Sequence, residues 1–249
     1  MTQQRHPRRR LRERIREWVE SRPELERFFR MFTGAFLYSA LDERLSFRDA
    51  LEKALRKPVP PHGFKVTWCL GGTAALLFLN QVVTGILLTL YYKPSPDAAY
   101  ESVQWISTDL AWGWLVRQLH AWGAHLMIIF VILHMLRVFL NKAYRPPREL
   151  TWVAGAFLLL ITLAFAFTGY LLPWDQLSYW ATQVGTDMPE DLPLIGSTIV
   201  SVLRGGDHIT GITLSRFFSV HCIILPLLIG PFLLLHFAII RRLGISDPY

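Results

Sequence analysis

Apolar residues in this chain gather into four long runs that are almost free of charge. The first extends from Val66 to Tyr92, and the second centres on Gln118–Leu136, with Arg117 and Arg137 at its margins. The third is Leu150–Trp174 and the fourth Phe217–Ile240. Each is long enough for a hydrocarbon layer, which takes ~20 apolar residues at ~1.5 Å rise apiece. Within hydrocarbon every backbone N–H and C=O must be satisfied internally, so a lone spanning segment is a helix; a closed barrel would show short alternating segments. The pattern predicts an all-α membrane protein, a four-transmembrane-helix bundle with spans near 64–92, 112–140, 150–172 and 214–241.

Composition sharpens this picture. Of 249 residues, 52% are hydrophobic and only 18% charged, against ~25% charged in soluble domains. Disorder, collagen and a nucleic-acid-binding tail are excluded for the chain as a whole. The net charge of +7 is uneven: residues 1–62 carry 15 Lys and Arg against 9 Asp and Glu, which is +6 of the total. Counting Lys and Arg in the flanks sets orientation. The basic head, Lys142, Arg145, Arg148, Arg241 and Arg242 fall on one side. Asp97, Glu101, Asp109, Asp187, Glu190 and Asp191 fall on the other. Both termini are therefore expected on the cytoplasmic, negative side, in a bacterial inner or thylakoid-type membrane. Residues 1–30 hold no apolar core of a signal peptide. Residues 1–38 read as a basic extension whose Arg5–Arg30 stretch suits either an interfacial amphipathic helix on lipid or a solvated segment. Two cysteines, Cys69 and Cys222, are too few for a disulfide framework or a cysteine-built metal site.

Four of eight histidines lie inside the spans: His120 and His134 in the second, His221 and His236 in the fourth. An imidazole in hydrocarbon is costly and marks function by default. Fourteen positions of α-helix return to within ~40° of one face, ~21 Å along the axis, and fifteen to within ~60°, ~22 Å along. Each of these two spans thus offers two ligands on one face. Because both spans run from the outer to the inner side, His120 levels with His221, and His134 with His236. Any single one of these histidines reads as an interhelical hydrogen bond; four at paired depth do not. Two stacked bis-histidine sites point to haem, which takes an imidazole from each side, whereas zinc or copper asks for more ligands per level. His125, ~140° round from His120, reads as a packing or lipid-facing residue. Gly71 and Gly85 in the first span, and Gly155 and Gly169 in the third, repeat the fourteen-residue interval. They are expected to clear room for a flat macrocycle.

The segments WCLGG (68–72), QVVTG (81–85), GWLVRQLH (113–120), LHMLRVFL (133–140), PRELTWV (147–153), TGYLLPWDQLSYW (168–180), SRFFSVH (215–221) and HFAIIRRLGISDP (236–248) resemble the cytochrome b family of quinol-oxidising bc and b6f complexes, most of all its four-helix b6 branch. The resemblance covers residues 39–249. The His221–His236 interval sides with that branch, since mitochondrial-type cytochromes b have one residue fewer. The longer cytochromes b continue into helices bearing a Pro-Glu-Trp-Tyr motif that is absent here, so a separate subunit-IV-like partner is implied.

The resemblance implies two non-covalent haems b, ligated by His120 and His221 on the positive side and by His134 and His236 on the negative side. Arg117, Arg137 and Arg148 match family arginines that balance propionate charge; snorkelling at span ends is the plainer reading. Ala121 stands where the family often has arginine. Cys69 matches the residue that tethers an extra haem c through one thioether bond, and Arg241 the arginine near that haem and its quinone. Positive-side quinol contacts are expected near Pro173, Trp174 and Trp180. The implied activity is that of the dihaem subunit of a quinol:cytochrome c or plastocyanin oxidoreductase, moving electrons across the membrane with proton translocation. Implied partners are a Rieske iron–sulfur protein, a c-type cytochrome and lipid, in a dimeric complex without nucleic acid. Two alternatives remain: a stand-alone dihaem anchor of a dehydrogenase or reductase, and a membrane haem-binding scaffold.

Overall fold

The computed structural model describes Val66–Ser246, and the basic extension lies outside the described residues. After a 3-10 turn at Val66–Trp68, α1 runs Leu70–Thr89, α2 Ala99–Thr108, α3 Gly113–Leu140 and α4 Glu149–Tyr170. Next come α5 (Gln176–Asp187), a 3-10 turn at Met188–Asp191, and α6 (Gly196–Arg204). Then α7 (Gly211–Ser219) passes through a π-helical turn, Val220–Ile224, directly into α8 (Leu225–Leu243). Among the described residues every element is helical.

Four helices are long and apolar enough to cross a membrane: α1, α3, α4 and the continuous Gly211–Leu243 rod. Their outward faces expose large apolar side chains, among them Leu76, Trp122, Leu160, Leu227 and Leu234. In water such a surface would aggregate; against lipid tails it is the ordinary exterior. The rods pack mainly in two pairs, α1 on α3 and α4 on α8, with α3 also touching α4. These four rods fall at the four apolar runs of the sequence, the first beginning at Leu70 after the 3-10 turn. The fourth begins earlier, because α7 continues into α8 without a break.

The short helices cluster at one end, where α2 leads from α1 to α3 and α5–α7 from α4 to α8. Asp175 caps α5 by accepting from Ser178 N–H at 2.8 Å, and Ser178 Oγ returns to Asp175 N at 3.0 Å. Thr210 and Thr213 form the same reciprocal cap on α7. These boxes satisfy N–H groups that a helix start leaves open. Gly205, at φ +83°, closes α6 in the left-handed region that favours glycine.

Arg204 ties this end together. Its side chain is buried, with Nε donating to Thr186 Oγ1 at 2.7 Å, Nη1 to Asp207 O at 3.1 Å and Nη2 to Gln183 O at 3.0 Å. Nη2 also pairs with the Asp187 carboxylate, and Thr213 Oγ1 donates to the Arg204 carbonyl. The charge, taken out of water, meets acceptors from α5 and from the turn leading to α7, which is what a buried guanidinium requires. Beneath it, Ala99, Leu171, Leu214 and Phe217 make one apolar core. A second core, Ile161, Leu225 and Ile229 with Phe78, Phe165 and Phe232 against it, fills the middle of the bundle.

Candidate cofactor site

His120 and His221 face each other across the bundle with ring centroids 6.4 Å apart and planes at 73°. One level further along α3 and α8, His134 and His236 are again neighbours. The second core lies between the levels: Leu225 and Ile229 fall between the histidines of the last rod, and Ile161 between Gly155 and Gly169 on α4.

Each histidine is seated on one glycine of an antiparallel neighbour. A Cβ added to Gly85 would lie 3.2 Å from His120 Cε1, and one at Gly71 2.9 Å from His134 Cε1. At Gly169 it would lie 2.6 Å from His221 Cε1, and at Gly155 3.4 Å from His236 Cε1. The expected room for a macrocycle is thus taken up by the imidazoles themselves. Each glycine lets a ring lie back against a helix and point its far edge into the bundle.

Hydrogen bonds fix which nitrogen points inward. His221 Nδ1 meets Phe165 O at 3.1 Å and His236 Nδ1 meets Thr151 O at 3.2 Å. A carbonyl only accepts, so both Nδ1 atoms carry the proton. The two contacts share one plan, since Phe165 and Thr151 each stand four residues before the glycine that seats the ring. His120 Nδ1 lies 2.9 Å from Thr84 Oγ1, whose own proton goes to Asn80 O at 2.6 Å. The hydroxyl therefore accepts from His120. Thr168 repeats the arrangement beside His221, with Oγ1 at 3.2 Å from Nδ1 and its proton on Ala164 O. Nε2 of all three rings is left with its lone pair, the state in which imidazole binds metal, held by the outer hydrogen bonds that such ligands need. His134 departs from the plan, its Nδ1 buried without a partner. One turn before Gly71 the chain is still in the 3-10 turn, so α1 presents no carbonyl there.

These residues fit an iron porphyrin. Two imidazoles each ~2 Å from a shared metal place their ring centres roughly 6 Å apart, and the observed spacing is 6.4 Å. Among the described residues no three His, Cys, Asp or Glu side chains converge, so a donor set for zinc or copper is missing while the two-ligand set of haem is present at each level. Arg137, one turn past His134, holds its guanidinium 4.6 Å over the Trp68 ring, and its Nε is buried without a partner. A propionate would satisfy that donor.

The remaining sequence-derived residues scatter more. Arg117 is half-buried one turn before His120. Arg148 donates to Gly244 O at 2.6 Å and Leu243 O at 3.4 Å, closing the C-terminus of α8. Arg241 is exposed near that same end. Cys69, exposed, is the N-cap residue of α1, two positions before the glycine that seats His134. His125 points outward beside Trp122, ring centroids 5.9 Å apart. Pro173, Trp174 and Trp180 lie at the start of α5, where Trp180 Nε1 donates to Gln176 Oε1 at 3.1 Å and Trp174 takes φ +53°. A largely apolar cavity of about 1040 Å³ opens beside Thr168, lined also by Pro96, Phe167, Arg216 and Val220. None of the three α5-end residues lines it.

Residues 55–244 match the family described as cytochrome b/b6/petB. The chain belongs to the cytochrome b/b6 family. It is 44% identical over 212 residues to cytochrome b6 of Acaryochloris marina, covering 85% of this chain and 98% of that one. It is 45% identical over the same length to cytochrome b6 of Gracilaria tenuistipitata, with the same coverage. Cytochrome b6 of Prochlorococcus marinus is 44% identical over 218 residues, 88% of this chain and all of that one. Among solved structures, a chain of a hyperthermophilic respiratory complex III matches with TM-score 0.77 and 34% identity over 84% of this chain. The match spans 56% of that longer chain. With family membership go an integral membrane location, haem b as cofactor, and the role of cytochrome b subunit in a multi-subunit quinol oxidoreductase. The stand-alone anchor and the bare scaffold are not favoured.

Proposed function

We propose that the chain holds two haems b, one between His120 and His221 and one between His134 and His236, and carries electrons from quinol oxidised at the outer, positive side toward quinone at the inner side. The supporting observation is the pair of facing imidazoles of His120 and His221 at 6.4 Å, with His134 and His236 neighbours one level deeper and all four rings seated on glycine. When bound, each haem accepts and returns one electron, so two levels supply a relay across the membrane.

The chain's own residues do the rest. Thr84, Thr168 and the carbonyls of Phe165 and Thr151 keep the ligand nitrogens unprotonated and aimed inward. Ile161, Leu225 and Ile229 exclude water between the levels. Arg137 offers charge to a propionate; Arg117 is proposed for the outer level, and at the inner level Arg148 acts only with the N–H groups not already given to α8. Oxidation of a quinol yields two electrons and two protons, so oxidation outside and reduction inside moves protons across the membrane. The outer reaction is assigned to Pro173, Trp174 and Trp180 together with a subunit-IV-like partner and a Rieske protein, and a c-type cytochrome or plastocyanin is the final acceptor. The assembly is proposed to be dimeric, with both termini inside.

On the inner side, Cys69 is proposed to tether a haem c, and Arg241 to serve the quinone beside it. The position of Cys69 two residues before the seat of His134 supports this. Adding quinol to the purified complex, with reduced-minus-oxidised spectra, should reduce two b-type components. A complex whose b-haems ignore quinol would contradict the reading. A haem stain on a denaturing gel should follow this chain and vanish in Cys69→Ser; retention of stain in that variant would remove the tether.

A further inference from the structure

The two ligand-bearing rods are built to different counts. His120 and His134 are fourteen residues apart, His221 and His236 fifteen, yet both pairs meet across the bundle. The opposing α4 is regular α-helix, and its seats Gly155 and Gly169 are fourteen apart. A fourteen-residue interval can hold a fifteen-residue one at both ends only if one residue of the latter adds no turn.

That residue is found at Val220–Ile224, where the backbone is a π-turn and Leu225 N–H reaches back to Val220 O, five residues instead of four. A π-turn closes over one residue more than an α-turn and absorbs about 100° of rotation, which takes a fifteen-residue offset of about +60° to about −40°, the offset of a fourteen-residue interval. The sequence explains its position. Pro226 has no N–H for the carbonyl four residues back, and in a regular helix its ring would press on the Cys222 carbonyl. Widening the turn relieves both. Without it, His221 would swing away from Gly169, Thr168 and Phe165 together.

We infer that the Pro226-associated π-turn is a register device: it renders one residue of the fourth span surplus and so brings His221 into phase with His236 and with its partner His120. The inference rests on the haem reading above for its readout, but concerns the chain's own geometry. Pro226 and Cys222 are positioning residues, since neither is placed among the ligands.

The test compares two one-residue deletions in the intact complex. Deleting Cys222 together with Pro226→Ala removes the surplus residue and the reason for the wide turn. Deleting Ile129 shortens the His120–His134 interval, which has no π-turn to absorb the loss. Haem b per chain and low-temperature electron paramagnetic resonance of the ferric centres, which senses the angle between axial imidazoles, are the readouts. The first variant should accumulate with two haems b and ferric signals like the parent; the second should lose at least one haem. Loss of the outer haem in the first variant, or its failure to accumulate, would overturn the inference, as would two unaltered haem signals in the second. If instead His221→Ala keeps both haems, it is the ligand assignment that fails.

Discussion

An imidazole has two nitrogens, and a ligand site works only if the right one is free. Here the choice is made by neighbours that only accept, or whose single proton is already given away, as with Thr84 and Thr168. Replacing Thr168 by Val should therefore weaken cofactor retention at the outer level by roughly 10–100-fold, the usual effect of losing such a hydrogen bond. Haem titration of the purified complex measures it, and the inner level should be unaffected. The glycines predict a graded series. Gly169→Ala, with its Cβ 2.6 Å from His221, should lose the outer haem, and Gly155→Ala, at 3.4 Å, should keep the inner one. Gly72→Ala, which meets nothing within 4 Å, should be silent. Haem content per chain reads all three. The histidines and the glycine interval were legible in the sequence because intramembrane polarity and repetition are conspicuous there. The threonines were not singled out, although each directly precedes a seating glycine, as Thr84-Gly85 and Thr168-Gly169. Hydroxyl residues are ordinary in membrane helices, and only the geometry shows where their protons go.

At the scale of elements, a helical wheel assumes one rotation per residue, and the last rod breaks that assumption at Val220–Ile224. The four apolar helices were readable from hydropathy, but a wheel carries no sign that one residue is surplus. Pro226 was the available clue. The short helices that cluster at one end were also hidden, because α2 and α5–α7 are brief, mixed in polarity and held by tertiary contacts such as those of Arg204. Arg204→Ala would strand the carbonyls of Gln183 and Asp207 and should destabilise this end by roughly 2–3 kcal/mol, the scale of a charge-assisted hydrogen bond lost from a buried site. Limited proteolysis within 183–213 reads that loss. The same cluster has a pH signature. Hydrogen bonds from Arg204, then Gln183, hold the Asp187 carboxyl below its ordinary value. Folding thus favours the ionised form; the contribution is complete above the unfolded carboxylate range of about 4 and fades as pH falls through the lowered value. Protection of the segment should weaken at acid pH in the parent, and less so in Asp187→Asn.

Across the described residues, low charge and an apolar exterior surround two polar levels, with a buried apolar core of Ile161, Leu225 and Ile229 between them. The uneven charge of the sequence belongs largely to its first 62 residues, and the orientation proposed from it is read by labelling an introduced cysteine at either terminus in sealed vesicles, with access from the cytoplasmic side expected. In the proposed reading, facing histidines, not the fold in general, hold the two haems. Redox-titrated difference spectra of the complex carrying His221→Ala separate the two possibilities. Two b-type components are expected in the parent and loss of the one between His120 and His221 in the variant; two intact b-haem signals in His221→Ala would show that the facing histidines do not hold them.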